Sequence, residues 1–275
     1  MGAAHRRRAS LASVMGRSRR NIQVEDDAAW IFNRMASAYD ARPPYPTALV
    51  DSVVQVASRT GSRLLDIGAG LGHLALPLAE RGLEVTAVEP ARQMLDRLRL
   101  EASRRNVNVR CFHAAAEALP FEEAAFDGAL IADALHFLDA ELVAKQLRRV
   151  LVPRGALVIV TCGLTPTPFI REVQKCVDGI TDRRRRDTSQ AIRHLASLTG
   201  VRLIEDRMLQ DETPVDGPSL ERILQSVSFI GPAMNGPRFE TLRERIATIP
   251  YPAVWARTFN VRYGFRKRRS GPLAS

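Results

Sequence analysis

Cysteine is scarce in this chain, which has three cysteines in 275 residues. Cys111, Cys162 and Cys176 are odd in number and show no C-x-x-C spacing, so they predict neither a disulfide framework nor a zinc site. This usage favours a reducing compartment, and we expect a cytoplasmic protein. No apolar run approaches the roughly 20 residues that a membrane-spanning helix needs, so we predict no membrane span.

Lysine is also scarce, because 37 of the 40 basic residues are arginine. The formal net charge of +10 would by itself favour a nucleic-acid partner. The charge is concentrated in two tails, however, since residues 1–22 hold six basic residues, residues 266–275 hold four, and neither tail holds an acidic one. The body between the tails is formally neutral, which weakens the nucleic-acid interpretation.

The length of 275 residues and the hydrophobic content of 45% fit one large domain or a domain with a cap. Residues 1–22 are small, polar and rich in arginine, a composition typical of a disordered tail. Three interpretations of this tail stay open. It is a solvated extension, a stretch before a true start at Met15 or Met35, or an organelle transit peptide.

Residues 63–90 organise the rest of the chain. A short apolar run ends in the glycine-rich sequence DIGAGLG at 66–72, apolar residues at helical spacing follow, and a second apolar run ends at Glu89. This order of strand, glycine turn, helix and strand predicts one βαβ unit. The turn lies at the carboxyl end of its strand, where open α/β sheets bind ligands.

Each glycine of the turn has a predicted physical role. Gly68 permits a turn at positive φ, and Gly70 lets a ligand approach the backbone because it lacks a Cβ. Gly72 permits close packing of helix against strand. Glu89 ends the second strand, where a carboxylate can accept both hydroxyls of a ribose, and Asp66 is placed to meet a cationic amino-acid end of a ligand.

A dinucleotide-binding domain is the main competitor, but its pattern is G-x-G-x-x-G and the pattern here is G-x-G-x-G. Together with Asp66, this turn resembles motif I of the class I S-adenosylmethionine-dependent methyltransferases. Glu89-Pro90 is similar to the acidic ribose-binding segment that follows motif I in that family. A glycine turn that serves packing alone is the alternative.

The resemblance implies an α/β, Rossmann-like, doubly wound fold. Its sheet would have seven mostly parallel strands with the last one antiparallel, an N-terminal helical lid, and helical insertions after strands five and six. The expected organisation is a basic tail at 1–22, a methyltransferase domain at 23–265 and a second basic tail at 266–275. Within the domain we expect lid helices at 23–60, a cofactor-binding core at 61–162 and substrate-side elements at 163–265.

Periodicity predicts the remaining elements of the chain. We expect helices at about 23–40, 47–59, 140–151, 169–180, 187–199, 218–229 and 237–247. We expect strands at about 107–112, 156–161, 201–209 and 255–265, with a turn at 153–155 before the second of them.

The segment 32–46 resembles the N-terminal lid of small-molecule methyltransferases, which read much like AxxYDxxRPxYP. In that resemblance Tyr39 and Arg42 lie over the methionyl end of the cofactor. Tyr39 is equally well explained as a packing aromatic residue with its hydroxyl at the surface, and Arg42 as a solvated loop charge.

The segment 113–121 is similar to the family's GDAEALPF sequence, which frames the adenine. Ala115 departs from the pattern, because many relatives have an aspartate there that accepts a hydrogen bond from the adenine amino group. The backbone amides of Ala116 and Glu117 remain as adenine contacts, and Met94 has the usual place against the adenine or ribose. The resemblance assigns S-adenosyl-L-methionine, with S-adenosyl-L-homocysteine as product, to Tyr39, Arg42, Asp66, Gly68, Ala69, Gly70, Glu89, Pro90, Met94, Ala116, Glu117 and Ala132.

His136 follows the fourth strand, beside the position of the transferred methyl group in the family. Its ordinary pKa of about 6.5 suits removal of a proton from a hydroxyl or amine at neutral pH. A histidine that only shapes the pocket is the alternative.

Four consecutive arginines at 183–186 are able to grip an anion, although acidic neighbours at 182 and 187 favour a solvated helix junction. No metal-ligand cluster is apparent, and methyl transfer from a sulfonium needs none. We expect a methyltransferase for a small, mostly apolar metabolite, of unknown oligomeric state. An RNA or DNA methyltransferase that uses the arginine-rich tails is disfavoured but open, as is a catalytically silent cofactor-binding scaffold.

Overall fold

The computed structural model describes residues 31–180, 188–228, 230–231 and 236–267. The two basic tails, apart from residues 266 and 267, lie outside the described residues. So do the arginine run at 183–186 and residues 23–30 of the predicted lid helix.

The described residues form a single sheet flanked by helices. The strands are β1 (Arg63–Ile67), β2 (Glu84–Val88), β3 (Arg110–Phe112), β4 (Phe126–Ala132), β5 (Leu151–Leu164), β6 (Val201–Val215) and β7 (Ala253–Arg266). The helices are α1 (Thr47–Ala57), α2 (Ala75–Glu80), α3 (Arg92–Arg104), α4 (Ala140–Val150), α5 (Pro168–Val177), α6 (Ser189–Thr199), α7 (Gly217–Gln225) and α8 (Pro237–Ala247). Residues 31–35 are also helical, and Tyr39–Ala41 and Leu135–Phe137 form short 3₁₀ helices.

The sheet has seven strands in the order β3-β2-β1-β4-β5-β7-β6. Only β7 is antiparallel to its neighbours β5 and β6, so the predicted seven-stranded sheet with an antiparallel last strand is confirmed. β1 pairs in parallel with both β2 and β4, and the order reverses at β1. The glycine turn therefore opens at the topological switch point, where such sheets bind ligands.

Helices cover both faces of the sheet, as a doubly wound fold requires. Consecutive residues of β1 supply opposite faces, because Leu64 packs with α1, α2 and α3 whereas Leu65 packs with α4 and α6. A third apolar cluster joins α5, α7 and α8 to Trp255 of β7. We call these three helices the cap. The cap meets the carboxyl edge of the sheet, because α5 follows the carboxyl end of β5 and the antiparallel β7 begins at that edge.

Several element bounds differ from the predictions. The lid helix ends at residue 35 rather than 40, and β3 contains only Arg110–Phe112 instead of 107–112. β6 extends to Val215 rather than ending at residue 209. Its second half is a polar edge strand that pairs with β7 on one side, so apolar alternation does not mark its end. Residues 153–155, which were expected to form a turn before the strand, lie within β5. The pairing of β5 with β4 shifts in register between Leu151 and Ala156, so these residues bulge out of the ladder.

Cys111, Cys162 and Cys176 all lie within the described residues, and all three are free. None of the helices in the described ranges is long and apolar enough to cross a membrane.

Candidate active site

The glycine turn after β1 adopts the left-handed backbone that its sequence predicts. Gly68, Gly70 and Gly72 have φ values of 70°, 56° and 82°. The backbone N–H groups of Gly68 and Ala69 donate to the carbonyl of Val88 at 2.9 and 3.1 Å, so the turn is tied to the end of β2. A Cβ on Gly70 would meet no atom within 4 Å, which leaves open space beside its backbone for a ligand.

Gly72 serves a different contact from the one predicted. A Cβ at this position would overlap the Cδ1 atom of Leu98, which belongs to α3. The close approach is therefore between the turn and α3 rather than between helix and strand, and the prediction for Gly72 was wrong in its partner.

Glu89, at the end of β2, holds the turn from the other side. Its carboxylate accepts hydrogen bonds from the N–H of Gly70 at 2.9 Å and from the N–H of Ala91 at 2.8 Å, and the residue is only 6% exposed. Burial raises the pKa of this carboxyl group, and the two N–H donors oppose the rise. The structure thus assigns Glu89 a role in fixing the turn, and its predicted bonds to a ribose stay a prediction.

Asp66 lies within β1, two residues before Gly68, where the turn begins, and is 2% exposed. Burial raises the pKa of its carboxyl group to about 7, and the nearby charge of Glu89 adds to the effect. Two buried carboxyl groups therefore lie beside the open backbone of Gly70. A cationic ligand bound there would stabilise their ionised forms.

The lid places an aromatic and a basic side chain over the turn. The rings of Tyr39 and His73 stack with centroids 6.4 Å apart, and the guanidinium carbon of Arg42 lies 4.0 Å from the centroid of Tyr39. Arg42 also donates to the hydroxyl and the carbonyl oxygen of Ser226 at 3.0 and 2.6 Å. Arg42 is therefore not a solvated loop charge, because it joins the lid to the end of α7. Its contact with a methionyl group stays a prediction.

His73 was missed by the sequence reasoning. It follows the glycine turn directly, and burial together with the charge of Arg42 lowers its pKa to about 4. Its ring is therefore uncharged at neutral pH. The only signal for it in the sequence is its place beside the turn.

A second arginine, Arg257 of β7, holds the lid in place, and it was not among the residues predicted from the sequence. Its side chain is 8% exposed and donates to the carbonyl oxygens of Pro43 at 2.8 Å and Pro44 at 2.6 Å. It pairs at the same time with both carboxylate oxygens of Asp211 on β6. The buried ion pair thus fixes the Pro43-Pro44 segment of the lid to the edge of the sheet.

The end of β4 brings Asp133 towards two lid tyrosines. Asp133 is a non-glycine residue at φ 50°, and its carboxylate accepts the N–H of Cys162 at 2.8 Å. Burial raises the pKa of the Tyr39 and Tyr45 phenols, and the charge of Asp133 adds to the rise in both. Both tyrosines nevertheless stay partly accessible, as residues that line a cleft do. Asp133 was not among the predicted site residues.

His136 lies in the short 3₁₀ helix after β4 and belongs to an aromatic group that reaches the lid. Its ring centroid is 3.9 Å from that of Phe137, and Phe137 packs edge-on against Phe32 at 5.0 Å. His136 therefore follows the fourth strand at the carboxyl edge of the sheet, as predicted. Its role as a base stays a prediction.

Met94, Ala116 and Glu117 are the residues predicted to contact the adenine. Met94 is buried on α3 and packs with Ala36 and Leu71, so it serves core packing between α3 and the lid. The side chain of Glu117 accepts the N–H of Asp139, 2.9 Å away, at the start of α4. The contacts of Met94, Ala116 and Glu117 with an adenine stay predictions.

The carbonyl oxygen of Pro90 lies 2.9 Å from the ring Nε2 of His113, which directly follows β3. The predicted contact of Pro90 with the cofactor stays a prediction. Within the described part of the chain, no group of three or more His, Cys, Asp or Glu side chains is arranged to hold a metal ion.

Comparison with known proteins matches residues 65–159 to the family described as "Methyltransferase domain". An uncharacterized methyltransferase of Mycobacterium tuberculosis is 36% identical over 135 residues, which are 49% of this chain and 53% of the relative. A demethylmenaquinone methyltransferase of Thermus thermophilus is 39% identical over 132 residues, which are 47% of this chain and 58% of the relative. The matched region thus spans little more than half the length of these curated relatives.

Solved structures share the fold at low sequence identity. The YcgJ protein of Bacillus subtilis superposes with a TM-score of 0.56 at 19% identity and covers 81% of this chain and 100% of its own. A protein of Bacillus halodurans, described as a putative methyltransferase, superposes with a TM-score of 0.52 at 16% identity, over 80% of this chain and 99% of its own. Residues 65–159, which include the glycine turn and the buried acidic residues Asp66 and Glu89, therefore match a methyltransferase domain of the class I S-adenosylmethionine-dependent type, and the solved structures show that the fold is shared.

Proposed function

We propose that this protein transfers a methyl group from S-adenosylmethionine to a small, mostly apolar metabolite. The observation that carries the proposal is the open backbone at Gly70, where a Cβ would meet nothing within 4 Å, between the buried carboxyl groups of Asp66 and Glu89. A ligand with a cationic end and a sugar fits this cradle, because carboxylates pair with ammonium groups and accept hydrogen bonds from hydroxyls.

The cofactor, when bound, supplies an electrophilic methyl group on a sulfonium. The residues that would hold it are Asp66, the turn from Gly68 to Gly70, Glu89 and the lid side chain Tyr39. The protein's task is then to orient the acceptor and to exclude water, since alignment alone is able to supply several kcal/mol of an in-line displacement.

The lid and the cap would exclude water from the site. Arg42 and Arg257 fasten the lid to α7 and to β7, so the segment between them is fixed over the turn. Beyond it, the helices of the cap pack on a buried apolar core that includes Ile170, Leu220 and Trp255. A rigid cap of this kind would cover an acceptor bound at the carboxyl edge of the sheet and keep water away from it.

We propose His136 as the group that removes the acceptor's proton. It lies at the carboxyl edge of the sheet beside Phe137 and the lid. His73 is less suited to this task, because a pKa lowered to about 4 makes its ring a weak base. The name of the Thermus thermophilus relative, demethylmenaquinone methyltransferase, also supports a small-molecule acceptor.

The first test is a calorimetric titration of the purified chain with S-adenosylhomocysteine, with NAD as the control ligand. Micromolar binding of the first and none of the second supports the proposal. The decisive variant is Gly70→Asp, which should abolish binding because a charged side chain would fill the cradle.

Gly82→Asp is the matched control, because Gly82 also has positive φ, at 87°, and also faces open space, but lies at the end of α2. Equal affinity of the two variants for S-adenosylhomocysteine would contradict the assignment of the cradle.

A further inference from the structure

A second concave site lies at the opposite edge of the sheet. A depression of about 640 Å³ is lined by Arg59, Thr60, Arg154, Phe265, Arg266 and Lys267. Arg59 and Thr60 precede the start of β1, whereas the glycine turn follows its end. Five residues of strand at about 3.3 Å each therefore separate the two sites by roughly 15 Å or more.

The depression is strongly basic. Four of its six lining residues are cationic and none is acidic. Within the described residues, Arg59, Arg154 and Lys267 form no ion pair with a carboxylate. Cations that share a concave surface repel one another, and an anion bound between them would relieve this repulsion.

Two of the cations are held in place by the protein. Arg59 donates to the hydroxyl of Tyr263 at 3.3 Å, and its guanidinium carbon lies 5.5 Å from that ring's centroid. Arg266 donates to the carbonyl oxygen of Leu151 at 2.7 Å. An arginine with its side chain already oriented loses less conformational entropy when it binds an anion.

Arg154 shows that the protein accepts backbone strain at this place. It sits in the looped-out segment of β5 at φ 67°, a left-handed conformation that glycine adopts easily and arginine does not. A Cβ on its neighbour Gly155 would lie 3.0 Å from the carbonyl oxygen of Val152, so glycine is favoured at 155. Residues in such conformations are more frequent at functional sites, and the strain at Arg154 therefore supports a role for its side chain.

From these observations we infer that Arg59, Arg154, Arg266 and Lys267 form a binding site for the linked phosphate groups of a small phosphorylated molecule. Two phosphates carry a charge of about −3 to −4, which matches four cations. Arginine forks bind phosphate oxygens in pairs. A volume of about 640 Å³ lies in the range of small-ligand sites, which favours a nucleotide-sized ligand over an extended polymer.

The test is a calorimetric titration of the full chain with inorganic pyrophosphate and with ADP, with S-adenosylhomocysteine at saturation so that the cofactor cradle is occupied. We expect both to bind, with an affinity that falls at high ionic strength. Arg154→Gly should weaken binding about tenfold or more, because it removes a charge-assisted hydrogen bond. Its thermal stability should be unchanged or higher, because glycine adopts the left-handed conformation without strain.

Two variants are matched controls. Ala124→Gly also replaces a residue at positive φ, 53°, without changing the charge, and Arg238→Gln removes a charge from α8. Both should bind pyrophosphate as the parent chain does. Absence of binding, or equal binding in Arg154→Gly, would overturn the inference. It would also be overturned by binding of single-stranded RNA without any binding of pyrophosphate or ADP.

Discussion

Replacing Asp66 by asparagine should change how the stability of the ligand-free protein depends on pH. The pKa of this buried carboxyl group is about 7, against an ordinary value of 3.8. The difference corresponds to about 4 kcal/mol, at about 1.4 kcal/mol for each pKa unit. The asparagine side chain has the same shape but no proton to lose, so the pair of proteins isolates the contribution of this one group.

The direction of the effect follows from which state holds the proton. Between pH 4 and pH 7 the folded protein keeps Asp66 protonated whereas the unfolded chain releases the proton. The free energy of unfolding contributed by this group is therefore intact below pH 4 and is lost as the pH rises towards 7. About 2–3 kcal/mol of the loss falls between pH 5 and pH 8.

Urea unfolding of the parent chain and of Asp66→Asn, each at pH 5 and pH 8, measures the contribution of Asp66 to the free energy of unfolding. We expect the variant to gain about 2–3 kcal/mol relative to the parent chain when the pH is raised from 5 to 8. Titrating groups remote from Asp66 are common to both proteins and cancel, and the coupled group Glu89 is checked by the same pair of measurements on a Glu89→Gln background. A relative change below about 0.5 kcal/mol would refute the reasoning, because Asp66 would then be ionised in the folded protein as it is in the unfolded chain.

The same group connects stability to binding. An ammonium group placed near Asp66 stabilises the ionised carboxylate and lowers its pKa. Binding of S-adenosylhomocysteine near pH 6.5 should therefore release a proton, which calorimetry detects as a binding enthalpy that depends on the ionisation enthalpy of the buffer. Asp66→Asn should abolish this dependence.

Three further variants test the other contacts of the site. Glu89→Ala should lower the free energy of unfolding by about 1–3 kcal/mol even without a ligand, because the N–H groups of Gly70 and Ala91 lose their acceptor; unchanged urea denaturation would exclude its role in fixing the turn. Arg257→Met should cost about 1–3 kcal/mol by leaving the partly buried carboxylate of Asp211 unpaired, and combining it with Asp211→Leu should recover part of the loss; a double variant less stable than the single one would contradict this account. His136→Gln should lower kcat while the affinity for S-adenosylhomocysteine is kept, and turnover equal to that of the parent chain from pH 6 to pH 9 would show that the histidine is not the base.

The sequence predicted the parts of the site that one continuous stretch encodes. The βαβ unit, the positive φ of Gly68 and the positions of Asp66 and Glu89 at the strand ends follow from residues 63–90, because strand, turn and helix are each set by neighbouring residues. The seven-stranded sheet with an antiparallel last strand was expected from the family resemblance and is confirmed, whereas the strand order was not predicted.

The contacts that hold the lid could not be predicted in this way. Arg257 reaches Pro43 across 214 residues of sequence, and Arg42 reaches Ser226 across 184. Nothing near Arg257 distinguishes it from the many other arginines of the chain. The length of β6 was missed for a related reason, since a polar edge strand is defined by its partner β7 and not by apolar alternation.

The charges gathered at the proposed cofactor site limit how catalysis can be achieved there. Among the described residues, Asp66, Glu89 and Asp133 bring three carboxyl groups to the carboxyl edge of the sheet, near the guanidinium of Arg42 and a histidine that is uncharged at neutral pH. In the proposed complex, the partners of Asp66 and Glu89 are the ammonium group and the ribose of the cofactor, which do not change in the reaction. These interactions would therefore be equally strong in the ground state and the transition state, and would supply affinity without raising kcat. On this proposal the rate comes from alignment of the acceptor by the lid and the cap and from removal of its proton. On the same proposal, Arg42 and Arg257 matter for turnover although neither contacts the reacting atoms. Both fix the lid, and the acceptor would be aligned against the lid.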